Sequence, residues 1–297
     1  MFRIGIDLGG TKTEIVVLGE DGSERLRRRI PSPRNDYAET VRAIAGLVET
    51  AEIELGERAS VGVGIPGAES RTTGLIKNAN STWLIGKPLR RDLEAALGRE
   101  VRLANDANCF ALSEAVDGAA AGAEVVFGVI LGTGVGGGIV AHGRVLGGIN
   151  AIAGEWGHNP MPGEHHPSVC YCGRKGCVEL YLSGPGLAAD HARSIGPTAG
   201  ERLAAPEIAV RAAAGDADCE ATLVRYERRL ARALAVVINI LDPDAIVLGG
   251  GLSNLHRLYD NVPKLWEQYV FSDRVETRLL KNRHGDSSGV RGAAWLW

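Results

Sequence analysis

The chain begins with short apolar runs broken by glycine. Ile4–Leu8 carries a single aspartate, Asp7, and is followed by Gly9-Gly10-Thr11-Lys12-Thr13 and a second apolar run, Ile15–Leu18. Two strand-like runs joined by glycines predict a β-hairpin. Arg25–Ile30 reads as a third strand, stopped by Pro31-Ser32-Pro33. The pattern then changes period: Val41, Ile44, Ala45, Val48 and Ala51 lie on one helical face, with Asp36 placed to cap a helix ending near Glu54. Val61–Ile65 is a short buried strand before Pro66-Gly67, and Pro88 opens a helix that stops at Leu97-Gly98. The strand Val101–Ala104 then runs into Asn105-Asp106 and a helix to about Val116.

The second half repeats the opening plan. Val125–Leu131, the turn Gly132-Thr133-Gly134-Val135-Gly136-Gly137-Gly138 and Ile139–Ala141 again read as strand, glycine–threonine turn, strand, so an internal duplication is expected. The small, flexible stretch Gly118–Gly122 sets the division: residues 1–118 with 286–297 form a small N-terminal domain, and 119–285 a larger one. Helices are predicted over Gly186–Ser194, Pro206–Ala214 and Asp218–Leu241. The last sets Leu223, Leu230, Leu234, Val237 and Leu241 against an outer face of Arg225, Arg228 and Arg232. Ala245–Leu248 is a buried strand entering Gly249-Gly250-Gly251 and a helix, and a helix capped by Asp286 runs through Trp295. This order of elements predicts a mixed α/β fold, with ligands beyond the strand ends.

Composition sharpens one point. Glycine accounts for 40 of 297 residues, nearly double the usual ~7%, and sits in clusters between apolar runs, so glycine-built turns are a working part of the molecule. A net charge of −3 gives no general pull toward nucleic acid or anionic membrane, and neither partner is expected. Arg25, Arg27, Arg28 and Arg29 read as a solvated strand face. No apolar run approaches the ~20 residues of a membrane span, and no basic segment precedes a long apolar one near Met1, so a cytoplasmic protein is expected.

Four patterns carry chemistry. His158 with Cys170, Cys172 and Cys177 makes a complete Cys₃His set, which points to a structural zinc ion, while Cys109 and Cys219 read as ordinary buried residues. Asn105-Asp106 stands where a strand meets a helix. The pair serves equally as a helix cap or, through Asp106, as a general base receiving a proton from a hydroxyl as phosphate arrives, and both readings stay open. Glu155 and Glu179 flank the cysteines and suit hydrogen bonds from sugar hydroxyls. The glycine turns at Gly9-Gly10 and Gly132–Gly138 could grip one polyphosphate, and Gly249-Gly250-Gly251 could admit a flat ring or a phosphate. Taken alone, Gly9-Gly10 needs no more explanation than an ordinary hairpin.

In combination, the motifs I-G-I-D-L-G-G-T-K, L-A-N-D-A-N, G-T-G-V-G-G-G, E-W-G-H, C-Y-C-G-R-K-G-C-V-E and L-G-G-G resemble the ROK family of sugar kinases across almost the whole chain. The resemblance implies two ribonuclease-H-like domains of the actin/hexokinase/Hsp70 ATPase class around a cleft, with ATP and sugar as substrates, and it implies a homodimer. By position, Asp106 would be the base; Gly67, Asn80, Asn105, Glu155, His158 and Glu179 would line the sugar, with His158 also on zinc. Gly9, Gly10, Thr11 and Lys12 would hold phosphates together with Gly132, Thr133, Gly134, Gly136, Gly137 and Gly138. Asp7 would orient hydrated Mg²⁺, and Gly249, Gly250 and Gly251 would lie near adenosine. The loop Asn78–Trp83 and the ending H-G-D-S-S-G-V-R-G-A-A-W-L-W are most similar to bacterial fructokinases of the manno(fructo)kinase type, although Pro162–Val169 is short for that type. The expected reaction is phosphorylation of fructose at its 6-hydroxyl; N-acetylglucosamine, glucose or mannose phosphorylation are the alternatives. A sugar-sensing repressor fits less well, since core strand begins at Arg3 where a helix-turn-helix would be needed.

Overall fold

The computed structural model describes residues 1–164, 168–196 and 202–297, with the side chain of Asp286 outside that description. Contacts divide the chain into two units, the first comprising Met1–Gly122, Gly138–Gly154 and Arg283–Trp297, the second Ala123–Gly137 and Glu155–Asn282. The segment Gly138–Gly154 thus groups with the first unit, where the sequence pattern placed it in the second.

In the first unit, β1 (Arg3–Leu8), β2 (Lys12–Leu18) and β3 (Glu24–Pro31) form an antiparallel meander. Helix α1 (Tyr37–Leu55) leads to β4 (Ser60–Ile65), which pairs parallel with β1. Asp36 caps α1 through the amide of Glu39, as its position before the apolar face predicts. A small ribbon, β5 (Ala68–Glu69) with β6 (Ile76–Lys77), precedes α2 (Leu89–Leu97) and β7 (Val101–Asn105), which completes the sheet order β3-β2-β1-β4-β7. Ile4, Ile6, Ile15, Val17 and Val63 bury one face of this sheet with Ile44 and Val48 of α1 and Leu93 of α2. The burial of these residues, at roughly 1.5–3 kcal/mol each, is the main force holding this layer.

The other face is covered by α3 (Asp106–Val116) and the returning C-terminal segment.

In the second half come β8 (Val125–Leu131), β9 (Val135–Ala141) and β10 (Arg144–Val145), then helices α4 (Glu179–Leu182), α5 (Gly184–Ile195), α6 (Ala205–Ala213) and α7 (Ala217–Leu241). Strand β11 (Ala245–Gly249), helix α8 (Arg257–Trp266), strand β12 (Arg278–Lys281) and helix α9 (Ser288–Ala294) follow. The second sheet runs β10-β9-β8-β11-β12, and the division into units falls inside β9. Helix α7 is the hub of the second unit, packing against α5, α6 and α8. Helix α9 packs on α3 so closely that a Cβ on Gly292 would stand 1.6 Å from the carbonyl oxygen of Cys109.

Three local expectations change. Strand β9 begins at Val135, so Gly136, Gly137 and Gly138 are strand residues and the turn itself is only Gly132–Gly134. A single 3-10 turn, Gly251–Asn254, separates the triple glycine from α8. Another, Gly285–Ser287, precedes α9, whose first residue is Ser288.

The Arg27–Arg29 run is not a merely solvated face. Glu14 is buried on β2, and both Arg27 and Arg29 donate to its carboxylate, Arg29 at 2.6 Å. A carboxylate removed from water needs such partners. The arginines on α7 are likewise engaged: Arg225 and Arg229 pair with Asp190, and Arg229 also with Glu164 at 2.8 Å. Glu164 lies in the loop Pro162–Val169, of which residues 165–167 fall outside the description.

Candidate functional site

In the first unit, two acidic side chains come together at the strand ends. Asp7 sits at the end of β1, and Asp106 opens α3 directly after β7. Burial, reinforced by the neighbouring charges of Asp106 and Glu14 and opposed by Lys12 and Arg29, lifts the Asp7 carboxyl from its ordinary 3.8 to about 6. Like charges held this close favour a bound cation or a proton. Asn105 caps α3 through the amide of Ala107 at 2.9 Å, so the cap reading is correct, yet its Nδ2 also donates to the carbonyl of Gly67 at 3.1 Å. Asp106 itself is exposed at the mouth of the sheet.

Gly67 has φ +82°, and a Cβ there would lie 2.4 Å from the carbonyl oxygen of Lys77 and 2.8 Å from the amide of Ala79. Its lack of a side chain lets the Asn78–Trp83 loop approach Asn105 and presents Asn80 at the surface. The structure thereby gathers Gly67, Asn80, Asn105 and Asp106 at one end of the sheet. The first glycine turn stands beside them: a Cβ on Gly10 would meet Ser81 Oγ at 3.5 Å. Within that turn the Gly9 amide donates to the Lys12 carbonyl at 3.0 Å, while Ser32 Oγ donates to the Gly9 carbonyl at 2.7 Å. Gly9 therefore shapes the turn, which leaves Gly10, Thr11 and Lys12 as the residues at its tip.

In the second unit, Glu155 leads a 3-10 turn, Trp156–His158, and Glu179 opens α4. Glu179 Oε2 accepts the amide of Val135 at 2.9 Å, and the Gly132 amide donates to the Gly134 carbonyl at 3.0 Å. A cavity of about 700 Å³ is bordered by Thr133, Glu179, Tyr181, Ser183 and Arg229, among others. Gly250, at φ +78°, lies over the backbone of Leu131, and Gly251 faces open space. Gly138 is placed in the first unit, where its missing Cβ allows contact with the Ala107 carbonyl; packing against the start of α3 accounts for it without a phosphate.

His158, Cys170, Cys172 and Cys177 converge, with one donor atom from each within 4.8 Å of the others. Cys170 Sγ is 3.9 Å from His158 Nδ1, and Cys172 Sγ is 3.6 Å from Cys177 Sγ. A tetrahedron with metal–sulfur bonds of about 2.3 Å has edges of roughly 3.8 Å, so the set fits a zinc ion. The three cysteines come from a tight knuckle in which the Cys170 amide donates to the Arg174 carbonyl at 2.7 Å, and His158 joins them from the Trp156–His158 turn. Burial and the adjacent thiols push the Cys177 thiol up to about 12, which a bound cation would reverse. The other ring nitrogen of His158, Nε2, lies 3.2 Å from the hydroxyl of the exposed Tyr171. Tyr171 and Trp156 were not singled out from sequence; an aromatic residue inside each metal-knot motif was the available signal.

In the first unit, clustered carboxylates beside a glycine turn are parts that a phosphoryl-transfer enzyme uses. The sequence profile of the ROK family matches residues 3–297. The chain belongs to the ROK family and is one of its sugar kinases. It is 43% identical to an N-acetyl-D-glucosamine kinase of Photobacterium profundum, over 98% of each chain. The crystal structure of a ROK hexokinase from Thermus thermophilus superposes with a TM-score of 0.88 at 32% identity, covering 100% of this chain and 97% of that one. A ROK glucokinase from Streptomyces griseus, solved with glucose and AMPPNP, gives 0.76 at 27% identity over 99% and 98% of the two chains. The two sheets and their helices agree with the expected actin/hexokinase-like fold. The fructokinase type finds no support in these relatives, whereas the N-acetylglucosamine alternative does. Among the described residues no helix is long and apolar enough to cross a membrane.

Proposed function

We propose that this protein transfers the γ-phosphoryl group of ATP to the 6-hydroxyl of N-acetyl-D-glucosamine. The observation that carries this reading is the 43% identity, along nearly the full chain, to a kinase of that sugar. The gathering of Asp7, Asn105 and Asp106 at one sheet end supplies the chemistry it requires.

In this reading Asp106 accepts the proton of the sugar hydroxyl as the phosphoryl group arrives. Its position at the helix start, with Asn105 fixed to Gly67, keeps the carboxylate at the sheet mouth. Gly67, Asn80, Asn105, Glu155, His158 and Glu179 bind other hydroxyls. His158 turns Nδ1 to the thiols and leaves Nε2 on the side of Tyr171, which suits its double role. The phosphates are held by Gly10, Thr11 and Lys12 of one turn and by Thr133 and Gly134 of the other, with Gly9 and Gly132 shaping each turn. Gly249, Gly250 and Gly251 lie toward adenosine. Asp7 would hold hydrated Mg²⁺, which would supply charge neutralisation at the phosphates. His158, Cys170, Cys172 and Cys177 would hold a zinc ion, which would fix the segment that carries Glu155 and Glu179.

The test is ADP release coupled to mass detection of phosphorylated sugar, using N-acetylglucosamine and ATP. A product 80 Da heavier than the sugar, on the order of one phosphoryl group, is expected at turnover rates of about 1–100 s⁻¹. Absence of product with this sugar, in a preparation that phosphorylates another hexose, would overturn the substrate assignment.

A further inference from the structure

The start of β9, which follows the second glycine turn, is tied to the segments that bear Glu155, His158 and Glu179. Trp156 lies between Glu155 and His158, is 5% exposed, and packs edge-on against Phe127 of β8 with ring centroids 5.6 Å apart. Its indole Nε1 donates to the carbonyl of Gly136 at 3.1 Å. One residue earlier, the Val135 amide donates to Glu179 Oε2 at 2.9 Å. Gly134 lacks the side chain that would block this: a Cβ would stand 2.6 Å from the same carboxylate oxygen. Thr133 and Glu179 also border one cavity.

We propose that Trp156 is a positioning residue that, together with the Glu179–Val135 hydrogen bond, joins the sugar-binding segments to the Gly132–Gly134 turn, so that a bound sugar orders the turn for the nucleotide phosphates. The proposal rests on the sugar-kinase reading above and goes beyond it, because Trp156 touches neither substrate. A carboxylate has about four lone-pair sites, so Glu179 can accept a sugar hydroxyl while keeping the Val135 amide. When a hydroxyl fixes that carboxylate, the amide it holds is fixed too. Trp156 prevents the turn from relieving the constraint by sliding along β9, since it anchors the next carbonyl to the core. Linkage makes the effect reciprocal: the nucleotide must tighten sugar binding by the same factor.

The experiment is calorimetric titration of Mg·ADP into the full chain with and without saturating N-acetylglucosamine, for the native protein, Trp156→Phe and Gly134→Ala. Phenylalanine keeps an aromatic ring in the core and removes only the indole donor. The native protein should bind Mg·ADP at least about fivefold more tightly when sugar is present. In Trp156→Phe that ratio should fall to within about twofold of one, with sugar affinity and melting temperature close to native. Gly134→Ala, which displaces the Glu179 carboxylate from the turn, should lose the ratio as well and serves if Trp156→Phe does not fold. A native ratio retained in either variant, or an equal loss of both affinities with a lowered melting temperature, overturns the proposal. So does a native protein that binds both ligands independently. A native protein that binds Mg·ADP but no N-acetylglucosamine overturns the substrate reading, and this inference with it.

Discussion

The two glycine turns look alike in sequence and are supported by different physics. Around Gly9–Lys12 the turn is held by backbone and Ser32 hydrogen bonds, but the neighbouring side chains are charged: Asp7, Lys12, and a buried Glu14 held by Arg27 and Arg29. Around Gly132–Gly134 a single carboxylate, Glu179 on the Val135 amide, joins neutral partners: the indole of Trp156 on Gly136 and the Gly184 amide on the Gly132 carbonyl at 2.8 Å. A repeated glycine pattern specifies a backbone conformation and leaves the surroundings open. The first unit thus concentrates charge, which the proposed reaction would use for proton transfer and for a cation. The second provides a frame beside the cluster of His158, Cys170, Cys172 and Cys177. Variants in the first should change chemistry with the fold preserved, and variants in the second should change stability or binding.

The largest effect tests that division in the first unit. Asp106→Asn keeps the side-chain volume and a hydrogen-bonding group, so its melting curve should match the native one while kcat falls by on the order of 10²–10⁴. Turnover within a few-fold of native in steady-state assays would remove Asp106 from the base role.

The next effect belongs to the second unit. Metal analysis should find one zinc per chain, and Cys177→Ser or chelation should lower the melting temperature by roughly 10 °C or more and weaken sugar binding. A metal-free preparation with native melting temperature and activity would show that the knuckle needs no ion.

A smaller effect tests the charge cluster itself. Folding lifts the Asp7 carboxyl from 3.8 to about 6, chiefly through burial. The folded value lies above the unfolded one, so folding favours the protonated form. That advantage is complete below about pH 4 and is lost as pH rises through about 6. In the nucleotide-free protein Asp7→Asn should therefore be more stable than native at pH 8, by up to about 3 kcal/mol, and indistinguishable near pH 4. Denaturant titrations that show no difference at pH 8 would contradict the placement of Asp7 among like charges.

The architecture was largely legible because the signals were local. Alternation marked the strands, a 3.6-residue period marked α1 and α7, and Asp36 and Asn105 are caps where caps were expected. What escaped depends on partners distant in sequence. The arginines of β3 read as solvated because their acceptor, Glu14, lies one strand away inside an apolar run. Asn105 and Gly67 are both visible as motifs, but only folding shows that one donates to the other. Trp156 passed unnoticed because an aromatic residue between Glu155 and His158 reads first as core, which it also is. The fructose expectation rested on one loop and the C-terminal run, short segments that report less about a pocket than similarity along the whole chain, and the relatives do not support it.

The most direct test of the account is the specificity ratio measured on one preparation with saturating ATP: kcat/KM for N-acetylglucosamine against fructose. A site built to bond an acetamido group discriminates against a sugar that lacks it, so the ratio is expected to favour N-acetylglucosamine by about 100-fold or more. Equal values, or a preference for fructose, would contradict the proposed substrate.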